Sequence, residues 1–287
     1  MQDKSPLTVG SLDQIPFLPI VLFKSQDIIC GEKTGQELSF VSSGTGGETT
    51  SRHIVKDALI YEMSFRKCFE LFYGRPENYA IIGLLPSYLE RKGSSLIYMM
   101  KQLMEDSGDP LSRFFSQDHW DLKNVIGQAH AEGKRIFLLG VSYALLDLAE
   151  KNIQIPADAI IAETGGMKGK RKEMIREELH AALTHAFNTN AIHSEYGMTE
   201  LLSQAWSKGQ GIFNCPPWMK ILIRDAEDPY AFAPIGKPGG INVIDFANLN
   251  SCSFIATDDL GKIHSKGGFE VLGRFDYADV RGCNLMV

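Results

Sequence analysis

The sequence predicts an α/β protein of layered mixed sheets with flanking helices and a smaller β-rich subdomain near the C-terminal end. Short apolar runs at 80–85, 135–141 and 158–163 alternate with stretches whose apolar residues recur at spacings of three and four, the pattern of strands alternating with helices. Beyond Trp206 that alternation gives way to short strand-like runs separated by Pro and Gly. The length of 287 residues, 44% hydrophobic and 22% charged, suits one large domain or two smaller ones. The chain divides into an N-terminal extended arm over 1–41, an α/β core over 42–217 and a β-rich subdomain over 218–287.

The net charge of −6 argues against general nucleic-acid binding. No stretch approaches a membrane span, and residues 1–10 lack a basic segment followed by an apolar run, so the cytoplasm is expected. Five cysteines without C-x-x-C spacing fit free thiols better than disulfides or zinc.

In chain order, Pro16 and Pro19 exclude a helix over 13–24, which reads as an extended arm packed on the body. A strand over 38–41 runs into the loop 42–51. There Gly44, Gly46 and Gly47 permit close backbone approach, while the hydroxyls of Ser42, Ser43, Thr45, Thr49, Thr50 and Ser51 can donate to phosphate oxygens. This composition makes either a phosphate cradle or a flexible linker; the Walker lysine is missing, and Arg52 is the nearest cation. Ile54, Ala58, Tyr61, Phe65, Cys68 and Phe72 form one apolar stripe, so a long helix is expected to start near Ser51 or Arg52 and present its N-terminus to the loop.

A strand over 80–85 ends at Pro86, and Met99, Met100, Leu103 and Met104 fill the core from a helix over 94–105. Another helix spans 119–131, stopped by Gly133, and another strand spans 135–141. Gly140-Val141-Ser142-Tyr143-Ala144 approximates a nucleophile elbow, which leaves open a Ser142 esterase or acyltransferase with His264 as base and Asp245 as acid; Ser142 can equally cap a helix. The strand over 158–163 runs into Thr164-Gly165-Gly166, where the glycine pair can pack against a flat ring. Ile175, Leu179, Ala182 and Ala186 then mark a helix face. Lys168, Lys170, Arg171 and Lys172 form the densest basic cluster, either a solvated run or a contact for an acidic carrier or cofactor phosphates.

The stretch 194–200 concentrates the chemistry. A strand end turns at Gly197, and Tyr196 offers a flat face for a purine, Thr199 a hydroxyl for a phosphate oxygen, and Glu200 a carboxylate for Mg²⁺. A core aromatic and a solvated charge are the plainer reading. Strands over 219–224, 241–246, 253–256 and 269–272 follow. A turn over 257–261 carries Asp258 and Asp259, and Gly273-Arg274-Phe275-Asp276 closes a strand. A carboxylate there can take both ribose hydroxyls, with Arg274 adding charge beside a nucleotide. Tyr143, Met167, Trp206 and Trp218 are candidates for an acyl pocket or for core.

Taken in order, these segments resemble the adenylate-forming superfamily of acyl-CoA synthetases, nonribosomal adenylation domains and firefly-type luciferases. Residues 42–51 look like its phosphate loop, Thr164-Gly165-Gly166 its adenine-flanking turn, 195–200 its Y-G-x-T-E motif, Thr257-x-Asp259 its T-G-D, and Gly273-Arg274-x-Asp276 its hinge. Within that group, the arm Ile15-Pro-Phe-Leu-Pro with Phe23-Lys24 and the ending Arg281-Gly282-Cys283 look most like LuxE-like acyl-protein synthetase. The resemblance implies the superfamily's N-terminal-domain fold with its C-terminal subdomain absent. It also implies ATP and Mg²⁺ as cofactors and activation of a carboxylic, expectedly fatty, acid as acyl-AMP for transfer to a thiol. It assigns nucleotide contacts to Ser42, Ser43, Gly44, Thr45, Gly46, Gly47, Thr49, Gly165, Gly166, Tyr196, Gly197, Thr199, Asp259 and Arg274. Glu200 becomes the metal ligand, Thr199, Glu200 and Arg274 the catalytic groups, and Cys283 the acylated thiol. An acyl-carrier protein, coenzyme A or a reductase are the alternative acceptors. Asp258 stands where the superfamily has Gly, and the loop lacks its closing lysine. A degenerate nucleotide-binding module is therefore a further reading.

Overall fold

The computed structural model describes residues 9–42, 49–89, 92–116, 119–151, 153–167, 169–228 and 230–275. The N-terminal arm is built from short pieces: a 3-10 turn at Leu12–Gln14, strand β1 at Leu18–Pro19 and a 3-10 helix at Ile20–Lys24. The prolines do keep it out of α-helix, but the tighter 3-10 repeat puts Ile20 and Phe23 on one face, and both are buried.

Strands β2 (Leu38–Val41) and β3 (Arg52–Val55) pair as an antiparallel hairpin. No helix starts at Ser51 or Arg52. The β-branched Ile54 and Val55 extend the chain against β2, and helix α1 begins only at Ala58–Tyr73, where the Asp57 carboxylate accepts from the Leu59 amide. The 42–51 loop therefore closes a hairpin rather than feeding a helix N-terminus.

Strand β4 (Tyr79–Leu84) and helices α2 (Pro86–Leu89) and α3 (Ser95–Ser107) come next, followed by strand β5 (Arg113–Phe115), which the sequence did not announce. Helix α4 (His119–Ala131), strand β6 (Arg135–Val141), helix α5 (Ser142–Ala149), strand β7 (Ile160–Thr164), helix α6 (Arg176–Phe187) and strand β8 (His193–Tyr196) complete the α/β part. Helix α6 buries Leu179, Leu183 and Phe187, a spacing of four throughout; Ile175 is an exposed cap and Ala186 faces solvent, so the expected stripe lies one residue off. Strands β5, β4, β6, β7 and β8 are parallel neighbours in that order.

From β8 onward the same sheet continues antiparallel through β9 (Ala205–Ser207) and β10 (Ile212–Asn214). It then passes to β14 (Phe269–Arg274), β13 (Phe254–Ile263), β12 (Gly239–Asp245) and β11 (Met219–Arg224). Strand β1 pairs in parallel with β13 at Ile255 and Ala256. The expected turn over 257–261 is not a turn: it lies inside β13, where the register shifts beside Gly261. A Cβ on Gly261 would stand 2.5 Å from the Glu270 carbonyl, so glycine there permits close strand passage rather than chain reversal.

One hydrophobic core lies between the parallel strands and the helices and includes Phe65, Phe69, Phe137 and Trp206. A second gathers Ile20, Phe23, Tyr196, Phe213, Ile221 and Phe269 under the antiparallel strands. Among the described residues no helix is long and apolar enough to cross a membrane.

Candidate active site

The sheet changes from parallel to antiparallel between β8 and β9, and the turns after β7 and β8 leave the C-terminal ends of the parallel strands there. Such a switch opens a crevice suited to a ligand. A cleft of about 970 Å³ lies at this place. Ser42, Thr49, Gly165, Gly166, Tyr196, Gly197, Thr199, Glu200, Asp259 and Arg274 all line it. Ser43, Gly44, Thr45, Gly46, Gly47, Asp276 and Cys283 lie outside the described residues. Tyr143, Met167, Trp206 and Trp218 do not line the cleft; they pack in or against the main core.

The base of the hairpin loop is clasped. The Ser42 amide donates to the Ser51 carbonyl at 3.0 Å, and the Ser51 amide donates to the Ser42 hydroxyl at 2.8 Å. Next to this base stands His53, which the sequence reading did not single out because a lone histidine in an apolar run carries no signal. It is fully buried, with Nδ1 2.9 Å from the Thr199 carbonyl and Nε2 3.0 Å from the Ser251 hydroxyl. Burial pushes its pKa down to about 4, with the Thr199 carbonyl pulling the other way. The neutral ring thus donates from Nδ1 to Thr199 and accepts at Nε2 from Ser251.

Other groups brace the same turn from behind. The Asn248 amide donates to the Glu200 carbonyl at 2.8 Å. The buried Asp245 carboxylate accepts from the amides of Leu202, Ser203 and Ala247 and from the Ser203 hydroxyl. The Glu200 side chain is 6% exposed and faces the cleft; burial raises its pKa, against the Ser51 hydroxyl. A desolvated carboxylate is relieved by a divalent cation. Among the described residues no group of three His, Cys, Asp or Glu is placed to hold a metal, and Glu200 could serve a divalent cation only as a single carboxylate.

Across the cleft, the Tyr196 hydroxyl donates to Asp259 Oδ2 at 2.9 Å, and Arg274 Nε stands 3.6 Å from Asp259 Oδ1. Edge-on contacts with Phe213 and Phe269 fix the tyrosine ring. Burial raises the Asp259 pKa, and Tyr196 and Arg274 moderate it. Arg224 ties the strands beneath, donating to the carbonyls of Thr257 at 2.6 Å and Ile241 at 3.0 Å.

Alternate residues of β8 point to opposite faces. Ser194 and Tyr196 face α6, where Ser194 Oγ is 3.3 Å from His180 Nε2; His193 and Glu195 face α1, where His193 Nδ1 is 3.3 Å from the Tyr73 hydroxyl. Thr164 donates to Glu195 Oε2 at 2.5 Å, and burial lifts the Glu195 pKa to about 7, with Thr164 opposing and Glu163 adding. Glu163, on the α6 face, has Arg176 at 3.7 Å and His180 at 3.5 Å.

The hydrolase arrangement does not form. Ser142 occupies the first turn of α5 without capping it, and its hydroxyl is 3.2 Å from both Glu163 and the Gly165 carbonyl. Asp245 is committed to backbone amides, and His264 Nδ1 accepts from the Lys266 amide. In the basic cluster, Arg171 is paired with Asp147 and Glu150. Cys30, Cys68, Cys215 and Cys252 are free thiols, and burial pushes Cys68 and Cys215 up to about 12.

Residues 3–287 match the family model described as acyl-protein synthetase, LuxE. A long-chain-fatty-acid–luciferin-component ligase of Vibrio harveyi is 22% identical over 307 aligned residues, covering 96% of this chain and 78% of the relative. ATP-bound MatB from Rhodopseudomonas palustris matches with a TM-score of 0.62 at 17% identity, over 82% of this chain and 47% of its own. The luciferase-like enzyme of the mealworm Zophobas morio matches at 0.57 and 13% identity, over 83% and 57%. O-succinylbenzoate coenzyme A synthetase (MenE) from Bacillus subtilis matches at 0.55 and 16%, over 82% and 51%. The chain spans about half the length of these solved structures, and the fold it shares with them is the N-terminal domain of adenylate-forming enzymes. With that fold, and with a family match running from residue 3 to residue 287, the chain belongs to the LuxE acyl-protein synthetase family.

Proposed function

We propose that this protein activates a carboxylic acid with ATP, releasing pyrophosphate, and passes the acyl group to a thiol in the cytoplasm. The observation that carries the reading is the gathering of the hairpin base, the Tyr196–Glu200 turn and the Asp259–Arg274 pair around one cleft. The family supports an acyl ligase, and the name of the Vibrio harveyi relative supports an aliphatic acyl chain.

The substrate carboxylate is itself the nucleophile, so the site needs no strong base. Its oxygen attacks the α-phosphorus and pyrophosphate leaves, giving the acyl-adenylate. The chain must hold donor and acceptor in line and balance the charge that builds on phosphate oxygens. The hydroxyls of Ser42, Thr49 and Thr199 are the donors for that charge. Glu200 would hold Mg²⁺, which supplies Lewis-acid neutralisation of the phosphates when bound. Gly165 and Gly166 leave room for the adenine beside Tyr196, and Asp259 with Arg274 takes the ribose. In the second half-reaction a thiolate attacks the acyl carbonyl and AMP departs. Cys283 is our candidate acceptor, with a carrier protein, coenzyme A or a reductase thiol as the alternatives.

The test is acid-dependent ATP–pyrophosphate exchange over a panel of carboxylic acids, followed by mass spectrometry of hydroxylamine-sensitive label. Exchange with label on Cys283, lost in Cys283→Ser, supports both steps. Nucleotide binding with no exchange for any acid would identify a binding module instead. Exchange with unchanged thioester in Cys283→Ser would move the acceptor to another thiol.

A further inference from the structure

Tyr196 and its partner Asp259 lie on the α6 side of β8, and the hairpin that carries Ser42 and Thr49 packs on α1 and α3 through Phe40. The acid must meet the α-phosphorus between them, and the cleft there is walled towards α1 and α3 by Tyr61, Leu96 and Met99. Its polar groups are unusual for a pocket that takes a plain alkyl chain.

Glu195 and Gln204 both line it and flank Gly197: a Cβ on Gly197 would stand 2.2 Å from Glu195 Oε1 and 3.5 Å from Gln204 Cγ. Thr164 occupies Glu195 Oε2, and no group among the described residues donates to Oε1. Gln204 is 5% exposed, and its Oε1 is buried with no hydrogen-bond partner. An acceptor left unpaired in a buried site is costly, so such atoms in a ligand cleft mark the place of a missing donor. Gln204 Oε1 is such an atom, and Glu195 Oε1 lies beside the same glycine, on the face of β8 opposite Tyr196.

We propose that Glu195 and Gln204 form a subsite for a hydrogen-bond donor on the acyl chain, so that the acid activated carries a hydroxyl or an amino group rather than a bare alkyl tail. This rests on the acid-activating reading above and specifies its substrate. The aliphatic wall takes the methylenes, and the two acceptor oxygens take the donor. A site built to bond a donor discriminates strongly against the analogue that lacks it, because binding that analogue leaves the acceptors unpaired.

The experiment compares straight-chain acids of one length, unsubstituted, hydroxylated or aminated at successive carbons, in pyrophosphate exchange and, separately, by calorimetric binding of the acid. At one carbon, the hydroxy or amino acid should exceed its parent about 100-fold in kcat/KM. Gln204→Leu, which keeps the side chain's bulk, should cut that ratio below about tenfold while its melting temperature reports an intact fold. Glu195→Gln should spare a hydroxy acid and sharply weaken an amino acid, which separates the two donors. Equal or better use of the unsubstituted acid by the wild type, with no change of ratio in Gln204→Leu, overturns the proposal. Should no acid support exchange, the activating reading fails by itself; calorimetry then decides the subsite, which stands if a donor-bearing acid binds to the wild type and not to Gln204→Leu, and falls if binding ignores the donor.

Discussion

His53 Nδ1 and the Thr199 carbonyl oxygen lie 2.9 Å apart, joining the strand that returns from the hairpin loop to the turn that precedes Glu200 across 146 residues of sequence. The contact places one buried imidazole between the base of the hairpin loop and the turn that carries Glu200. It positions both without lining the cleft itself.

Replacing His53 with Leu should therefore lower kcat for adenylation about 100-fold, the scale of a 1 Å misplacement of a reacting group, while KM for the acid moves little. His53→Gln, which can still donate to the carbonyl, should recover part of the rate. Equal rates for Leu and Gln would show that the bond to Thr199 has no positioning role.

The same residue sets an acid limit on stability. Its folded pKa is depressed to about 4 from an ordinary 6.5, so its contribution is complete above about 6.5 and is lost as pH falls towards 4, by up to about 3 kcal/mol. His193, also pushed to about 4 by burial, acts in the same direction. Glu195 is raised to about 7, so its contribution is complete below its ordinary 4.5 and is lost as pH rises through 7. The melting-temperature gap between the wild type and His53→Gln isolates one of these groups. It should be widest near pH 7 and shrink by pH 4; a gap independent of pH contradicts the assignment.

Glu200→Gln should reduce pyrophosphate exchange at least about 100-fold through lost charge balance at the phosphates. Thermal stability of the ligand-free protein should stay level or rise, because the substitution removes a desolvated carboxylate. A well-folded variant with wild-type exchange would remove Glu200 from the metal site.

Tyr196→Phe deletes the donor to Asp259 Oδ2 and leaves that buried oxygen short of a partner, at a cost of about 1–3 kcal/mol. KM for ATP should rise more than kcat falls, since the change loosens the proposed ribose carboxylate rather than the reacting groups. Thermal unfolding and initial rates at varied ATP check both halves.

Much of the fold was legible because it is local. The runs 135–141 and 219–224 announce strands by themselves, and Arg135–Val141 and Met219–Arg224 are the strands observed. The turn at 194–200 was legible because its groups sit together in sequence. The start of α1 was misread because Ile54 and Ala58 happen to keep helical spacing, whereas β3 is decided by its distant partner β2. The acids at 258 and 259 suggested a turn by composition, yet β14 pairs with Asp259 at Arg274, and β12 pairs on either side of them at Ala256 and Leu260, which keeps them in a strand. Neither His53 nor the placing of Glu195 and Gln204 beside Gly197 has any local sign. Each acquires meaning only from chain brought alongside by folding.

The turn before β9 hangs from attachments made by distant chain, His53, Ser64, Cys68, Asp245 and Asn248. His53 itself reaches 198 residues further on to Ser251. Contacts of such long range close late and slowly in folding, so a chain with its early strands and helices formed would still lack a working cleft. Nucleotide should accordingly favour only the finished protein and raise its melting temperature with ATP concentration, while refolding intermediates should leave ATP unbound. On this expectation the cleft closes late, and a bound ligand would act as a seal on completed assembly.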